Sequence, residues 1–294
     1  MAWLELRLGT TAESAPALEA ALLATGAQAV TYRDDGDCPL LEPPPGQTPL
    51  WPNTAVTALY AAATDRTATW SRLQALHQGP LPAPHWQILP DRIWEREWLR
   101  HQRPLKFGNA FWVHNRPVKD ALPTLLLDPG LAFGTGDHPT TALCLDWIAA
   151  QSWTGRRLLD YGCGSGILGL AAALFGCPQV QFIDIDPQAL SATRQNAQRN
   201  GLEQCVTGYA RAAPIADPPA DVLVANILAA PLQELADHFA ALLAPGGALC
   251  LSGILAAQTA QILSAYAPAF SDLHVEQRDG WARISGYRTL EPAT

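Results

Sequence analysis

From residue 121 onward, short apolar segments alternate with helical segments, and this alternation is the feature that most constrains the fold. The apolar segments predict strands at 157–161, 180–185, 204–209, 221–226, 247–252, 272–278 and 281–289. The helical segments predict helices at 138–151, 166–175, 187–200, 230–243 and 255–267. Strands that alternate with helices form a mostly parallel sheet. Only Gly280 and its neighbours join the last two strands, and so short a connection requires an antiparallel pair.

Residues 1–90 follow a different pattern, with fewer helices and more adjacent strands. Strands are predicted at 3–8, 27–33, 54–62 and 85–90, and helices at 13–25 and 65–77. The resulting β-α-β-β-α-β order predicts a small α+β domain of the ferredoxin-like type. A proline-rich stretch at 38–52 is predicted to be a loop within this domain.

Residues 91–120 differ from both flanks because aromatic residues are interspersed with charges. The aromatic residues are Trp94, Trp98, Phe107, Phe111 and Trp112. We predict a short helix at 93–102 and a hairpin at Gly108-Asn109. Because so many aromatic side chains need a packing surface, we interpret the segment as a linker that packs on both domains. The predicted organisation is therefore a first domain at 1–90, this linker, and a second domain at 121–294.

The composition argues against several classes of protein. Hydrophobic residues make up 48% and charged residues 16% of the chain, and the formal net charge is −8. Nucleic-acid binders are typically basic, so we expect no direct nucleic-acid binding. The N-terminus lacks the pattern of a signal peptide, and no apolar run reaches the ~18–20 residues of a membrane span. The six cysteines form no CxxC pair. We therefore expect a cytoplasmic monomer without a metal or membrane contact.

A glycine-rich turn follows the first predicted strand of the second domain. The sequence there is LLDYGCGSG, in which Gly162 and Gly164 come directly after the strand. Glycines allow the backbone to approach a ligand closely, and the next helix begins at the turn. Asp184 ends the following strand about 20 residues later, where a carboxylate suits a ribose diol. Asp186 is instead predicted to cap the next helix, because Pro187 follows it.

Two cofactor hypotheses fit this turn, and a glycine turn without a ligand is a third interpretation. Residues 164–169 match GxGxxG, which indicates a nicotinamide or flavin dinucleotide but is weak evidence alone. The spacing Asp160-x-Gly162-x-Gly164-x-Gly166 favours S-adenosylmethionine. That hypothesis also accounts for the antiparallel end of the sheet and for the single nucleotide-binding half, since no second half is evident.

Two further segments carry candidate functional residues. Residues 127–141 contain three glycines, two prolines and hydroxyls at a helix start, which predicts a loop that folds over a bound cofactor. The alternative is helix capping by Thr140 or Asp137, and His138 is expected to form structural hydrogen bonds rather than act as a base. Asn226 ends the fourth strand and should lie beside Gly162 and Asp184, since ligands bind beyond parallel strand ends. Its alternative role is a turn or cap.

Four motifs together resemble a known family. LDPGLAFGTGDHPTT, LLDYGCGSGILGLAA, IDIDPQAL and VLVANILAAPL are similar to the PrmA family, class I methyltransferases that modify large-subunit ribosomal protein eleven. EPPPG, the LW after it, and WEREW resemble the same family, so the similarity spans most of the chain. One departure is Asp137, where the family usually has Thr or a similar residue.

The resemblance implies a protein methyltransferase that trimethylates the N-terminal α-amine and lysine side chains of that ribosomal protein. It implies that the ferredoxin-like domain recognises the substrate and that S-adenosylmethionine contacts Thr141, Gly162, Asp184 and Asn226. Gly164 belongs to the same turn and is predicted to join them. We expect Asn226 to be catalytic as well, by accepting a hydrogen bond from the amine.

Two other functions remain as alternatives. One is a methyltransferase for another protein, RNA or a small molecule. The stretch after Asn226 lacks the aromatic residue that would stack on a flipped base, which argues against RNA. The other is a non-catalytic, cofactor-binding assembly factor, against which the intact glycine, acidic and Asn motifs argue.

Overall fold

The structure is a computed structural model that describes residues 2–36, 48–89, 103–128, 136–212 and 219–290. The chain divides into two compact units, Met1–Ile93 and Trp94–Thr294. Among the described residues, each helix is too short or too polar to span a lipid bilayer.

The first unit is an antiparallel sheet with two helices in its described part. Its elements are β1 (Trp3–Thr11), α1 (Ala15–Ala24), β2 (Ala29–Asp34), β3 (Asn53–Ala61), α2 (Arg66–Leu76) and β4 (His85–Leu89). The strand order is β2-β3-β1-β4, and each neighbouring pair is antiparallel. Leu4, Leu6 and Leu8 alternate along β1 and are buried with residues of both helices. The predicted element order is confirmed, while the ferredoxin-like assignment stays a prediction.

A small sheet opens the described part of the second unit. It consists of β5 (Leu105–Phe107), β6 (Phe111–His114) and β7 (Thr124–Leu126) in the order β5-β6-β7. The hairpin predicted at Gly108-Asn109 is present between β5 and β6, and both turn residues have positive φ. Phe107 and Phe111 are buried in the core of this unit. The segment predicted as a linker thus contributes strands and core residues here, whereas its predicted helix at 93–102 lies outside the described residues.

The large sheet of the second unit carries the candidate site. Its strands are β8 (Arg157–Tyr161), β9 (Gln179–Ile183), β10 (Val206–Ala210), β11 (Ala220–Asn226), β12 (Leu243–Leu255), β13 (Phe270–Arg278) and β14 (Trp281–Arg288). Their order is β10-β9-β8-β11-β12-β14-β13. The pairs from β10 to β12 are parallel, and β14 is antiparallel to both of its neighbours. The prediction of a mostly parallel sheet with an antiparallel last strand is confirmed.

Helices cover both faces of this sheet. They are α3 (Pro139–Ala149), α4 (Ile167–Leu174), α5 (Pro187–Asn200), α6 (Ala229–Glu234), α7 (Ala236–Leu242) and α8 (Thr259–Tyr266). Leu158 and Leu159, neighbours on β8, are buried in separate hydrophobic clusters because successive strand residues face opposite sides. The predicted helix at 230–243 was wrong as a single element, since α6 and α7 occupy that region.

Candidate active site

The candidate site lies where three adjacent parallel strands end. β9, β8 and β11 are neighbours in the sheet, with Tyr161 paired to both Ile183 and Ala225. The order of the strands along the chain reverses between β8 and β11, and such switch points form crevices at the carboxyl ends of strands. Gly162, Asp184 and Asn226 therefore come together at one edge, as the strand pattern predicted.

A cavity of about 430 Å³ opens at this edge. Its volume falls within the range of ~300–1,000 Å³ that is typical of small-molecule sites. The structure brings all the site residues predicted from the sequence to its wall: Thr141, Gly162, Gly164, Asp184 and Asn226. The other lining residues are Tyr161, Cys163, Ile167, Leu168, Ile183, Ile185, Arg211, Ile227, Leu228, Pro231 and Leu235.

Main-chain hydrogen bonds fix the glycine turn. The N–H groups of Gly162 and Cys163 donate to the carbonyl of Ile183 at 2.8 and 3.0 Å. Gly162, Gly164 and Gly166 have φ values of 73°, 54° and 79°, which L residues rarely adopt. A Cβ at Gly162 would overlap the side chain of Ile227. The turn thus requires glycine both for its backbone conformation and for the space beside it.

The carboxylate of Asp184 is held by two main-chain donors. Its Oδ2 accepts from the Gly164 N–H and its Oδ1 from the Asp186 N–H, both at 2.9 Å. Each carboxylate oxygen can accept a second hydrogen bond, so the group can still receive hydroxyls from the cavity. Asp186 caps α5 by accepting from the Gln188 N–H at 2.8 Å, which confirms its predicted role.

Asp160 lies beneath the turn and is fully buried. Its Oδ2 accepts from the Gly169 N–H at 2.8 Å, so it caps α4, whose N-cap Gly166 has no side chain. Among the described residues its Oδ1 has no hydrogen-bond partner. Burial, with a smaller contribution from the charge of Asp184, raises the pKa of Asp160 to about 7 against the opposing effect of the Gly169 hydrogen bond.

The wall of the cavity also carries a side-chain amide. Asn226 donates from Nδ2 to the Thr141 Oγ1 at 3.2 Å. Thr141 lies on α3 and is almost fully buried, so it orients the amide. This bond uses one of the two Nδ2 hydrogens, and the Oδ1 of Asn226 is the acceptor that the side chain can offer to a ligand.

His138 is the N-cap of α3, which differs from the capping residues considered from the sequence. The alternative interpretation of residues 127–141 was capping by Thr140 or Asp137, but the N-cap is His138, whose side chain accepts from the Thr140 N–H. Burial lowers the pKa of His138, and the charge of Asp137 opposes this shift. The ring also packs edge-on against Trp281 at 4.8 Å. The structural role expected of His138 is confirmed. The loop at 127–141 was predicted to cover the cofactor, and its residues 129–135 lie outside the described residues.

Sequence reasoning missed several lining residues. Ile185 is 80% exposed beside Asp184, and the Arg211 Nε donates to the Ile185 carbonyl at 3.1 Å. Leu228 is also exposed at the cavity. In the sequence, an apolar residue between the two aspartates Asp184 and Asp186 at a strand end was a signal for Ile185, whereas nothing around Arg211 marked it.

Comparisons with known proteins all indicate the same family. The chain matches the family model described as ribosomal protein L11 methyltransferase (PrmA) over residues 2–289. It is 50% identical over 292 residues to the ribosomal protein L11 methyltransferase of Ectopseudomonas mendocina, covering 98% of this chain and 100% of that protein. The corresponding protein of Pseudomonas aeruginosa strain LESB58 is 49% identical over 295 residues, with 99% and 100% coverage.

A solved structure with the corresponding description also matches this chain, at lower sequence identity. The crystal structure of ribosomal protein L11 methylase from Lactobacillus delbrueckii subsp. bulgaricus is 27% identical, with a TM-score of 0.56. The match covers 64% of this chain and 100% of that chain.

Proposed function

Because this chain belongs to the ribosomal protein L11 methyltransferase family, we propose that it transfers methyl groups from S-adenosylmethionine to ribosomal protein L11. The observation that carries the proposal is the cavity at the strand ends, whose wall combines a glycine turn, a carboxylate and a side-chain amide. The similarity to the Ectopseudomonas mendocina protein spans 98% of this chain and 100% of that protein, which supports a substrate that the two proteins share.

The cofactor is proposed to bind at the turn side of the cavity. Gly162 and Gly164 allow close approach of the backbone, and the oriented carboxylate of Asp184 accepts hydrogen bonds from a ribose diol. Thr141 and Asn226 complete the contacts at the end of β11. S-adenosylmethionine supplies an electrophilic methyl group on its sulfonium when it is bound.

The acceptor is proposed to be an amine, either the N-terminal α-amine or lysine side chains of the substrate. An amine attacks only in its neutral form, and ordinary pKa values are ~7.7–8.0 for an α-amine and ~10.4 for Lys. The Oδ1 of Asn226 accepts an N–H of the neutral amine and so directs its lone pair. Holding the amine in this orientation accelerates the methyl transfer.

The amine proton is proposed to leave to water. Within the described lining, the titratable side chains are Tyr161, Cys163, Asp184 and Arg211. Burial raises the pKa of both Tyr161 and Cys163, so neither is ready to take a proton as an anion. The Asp184 carboxylate is already engaged by two main-chain N–H groups.

Residues 1–90 are proposed to recognise the substrate, while 121–294 carry the chemistry. The cavity residues all lie between 141 and 235, which supports this division. We further propose that the protein acts as a cytoplasmic monomer without direct nucleic-acid binding, in keeping with its net charge of −8.

A truncated chain tests this division. The cut belongs at Trp94, because a cut near 118 would remove the buried Phe107, Phe111 and Val113 from the core of the second unit. We expect the folded truncated chain to bind S-adenosylhomocysteine like the full chain but to methylate L11 at least ~100-fold more slowly, since the amine is no longer delivered. A full-length rate from the folded, soluble truncation contradicts a recognition role for residues 1–90.

Transfer of labelled methyl groups tests the proposed function itself. The purified protein is incubated with labelled S-adenosylmethionine and total ribosomal proteins, and the products are separated and identified by mass spectrometry. We expect label on L11, at amines. Label on RNA or on another protein alone, or no transfer, contradicts the proposal.

A further inference from the structure

The buried amide of Asn196 on α5 joins two segments that are distant in sequence. Its Nδ2 donates to the carbonyl of Ser165 at 3.0 Å and to that of Asp128 at 3.1 Å. Its Oδ1 accepts from the Asp128 N–H at 3.0 Å. The side chain is fully buried, and both of its donor hydrogens are used.

Thr193, one turn earlier on α5, holds the neighbouring carbonyl of the glycine turn. Its Oγ1 donates to the carbonyl of Gly164 at 3.0 Å, and it is also fully buried. Because the peptide unit is planar, fixing a carbonyl also fixes the direction of the following N–H. The helix thus sets the orientation of two consecutive peptide units, 164–165 and 165–166.

A glycine-rich turn needs such supports more than other turns do. Glycine has the largest conformational freedom to lose, and Gly162, Gly164 and Gly166 all occur within five residues. A turn that is already ordered before the ligand binds avoids this cost at binding. Asn196 and Thr193 provide that order from outside the cavity, since neither lines it.

We propose that Asn196 is a positioning residue for the cofactor turn. It holds the Ser165 carbonyl against the main chain of Asp128 and so keeps residues 164–166 in the conformation that receives the cofactor. The inference rests on the proposed use of S-adenosylmethionine and adds a residue that does not touch the ligand.

The same helix provides a matched control in Asn200. Its Oδ1 accepts from the Leu126 N–H at 2.8 Å, and its Nδ2 donates to the Leu126 carbonyl at 2.7 Å. Asn200 thus bonds to both the N–H and the carbonyl of one main-chain residue, as Asn196 does. Its remaining hydrogen bond goes from Nδ2 to the Asn196 carbonyl and not to the glycine turn. Asn200→Ala removes a similar set of contacts without releasing Ser165.

Calorimetric titration with S-adenosylhomocysteine distinguishes the two residues. We expect Asn196→Ala to raise the Kd about tenfold and Asn200→Ala to change it less than about twofold. At saturating cofactor, the kcat of Asn196→Ala should stay near that of the wild type while its KM for S-adenosylmethionine rises. Urea unfolding of both variants measures their stability separately.

Asn196→Asp is the second variant, in case the alanine variant does not fold. It keeps the size of the side chain and the acceptor for the Asp128 N–H, but it loses both donors, so we expect the same rise in Kd. Equal Kd values for a folded Asn196 variant and Asn200→Ala overturn the inference while the proposed function stands. A wild-type protein that binds no S-adenosylhomocysteine overturns both.

Discussion

The two walls of the cavity are built by different means. On the turn side, residues 160–166 and Asp184, the geometry is set by glycines with positive φ and by many hydrogen bonds to the main chain of the turn, from other main-chain groups and from buried side chains. On the amide side, Thr141 and Asn226, it depends on one hydrogen bond between two side chains. The turn side is therefore rigid and tolerates few side chains, whereas the amide side is adjustable by single substitutions.

This difference suggests a division of work. A preorganised main-chain surface suits a cofactor that is the same in every turnover. A side-chain amide suits an acceptor whose N–H must be met and oriented for attack. We therefore expect substitutions on the turn side to change cofactor affinity and those on the amide side to change the rate of transfer.

Gly162→Arg should have the largest effect. A side chain there overlaps Ile227 and enters the cavity, so we expect binding of S-adenosylhomocysteine to fall more than ~100-fold, measured by calorimetry. Gly155→Arg is the matched control, because Gly155 has nearly the same φ, 74° against 73°, but open space around its Cβ position. Equal affinity in the two folded variants contradicts the role of the turn.

Asp160→Asn should have an intermediate effect that depends on pH. An unfolded Asp has a pKa of ~3.9, whereas burial raises the pKa of Asp160 to about 7. The stability contributed by this carboxyl is therefore fully present below the unfolded pKa and is lost as the pH rises through about 7. Asn at this position keeps an acceptor for the Gly169 N–H and does not titrate.

We expect the difference in stability between the wild type and Asp160→Asn to depend on pH. The free energy of unfolding of the wild type, relative to Asp160→Asn, should fall by about 2–3 kcal/mol between about pH 5 and about pH 8. Urea unfolding at both pH values measures it. If the difference in the free energy of unfolding is the same at both pH values, Asp160 does not titrate in this range. The stability of the turn side would then not depend on the protonation of this carboxyl.

Thr141→Val should have the smallest effect. It removes the partner of the Asn226 Nδ2 and leaves the amide free to turn, so we expect methyl transfer to slow about fivefold, as the loss of ~1 kcal/mol implies. Thr140→Val is the control, since Thr140 is equally buried but bonds to His138. If both variants slow alike in a methyl-transfer assay, Thr141 does not act through Asn226.

The strand ends of the site were predictable because they follow from local pattern. Apolar strands locate their own ends, and parallel strands bring those ends to one edge, so Gly162, Asp184 and Asn226 could be grouped from the sequence. Asp186 was predictable as a cap because Pro187 marks the first turn of α5.

Other features depend on tertiary contacts and could not be predicted in this way. β7 has three residues and pairs in parallel with β6, so neither periodicity nor a turn marks it. Asn196 looks like an ordinary polar residue in a helix until the fold brings Ser165 and Asp128 to it. His138 replaces the more common caps Thr140 and Asp137 because its ring accepts the Thr140 N–H.

The division of work between the two walls is tested most directly by comparing Asp184→Ala with Asn226→Ala. For each folded variant, calorimetry gives the Kd of S-adenosylhomocysteine, and single-turnover methylation of L11 at saturating cofactor gives the rate of transfer. We predict that Asp184→Ala weakens binding by ~1.5–3 kcal/mol with a nearly unchanged rate. We predict that Asn226→Ala slows transfer about 100-fold, with a much smaller loss of affinity. Matching losses of affinity and rate in both variants, or the reverse pattern, contradict the account.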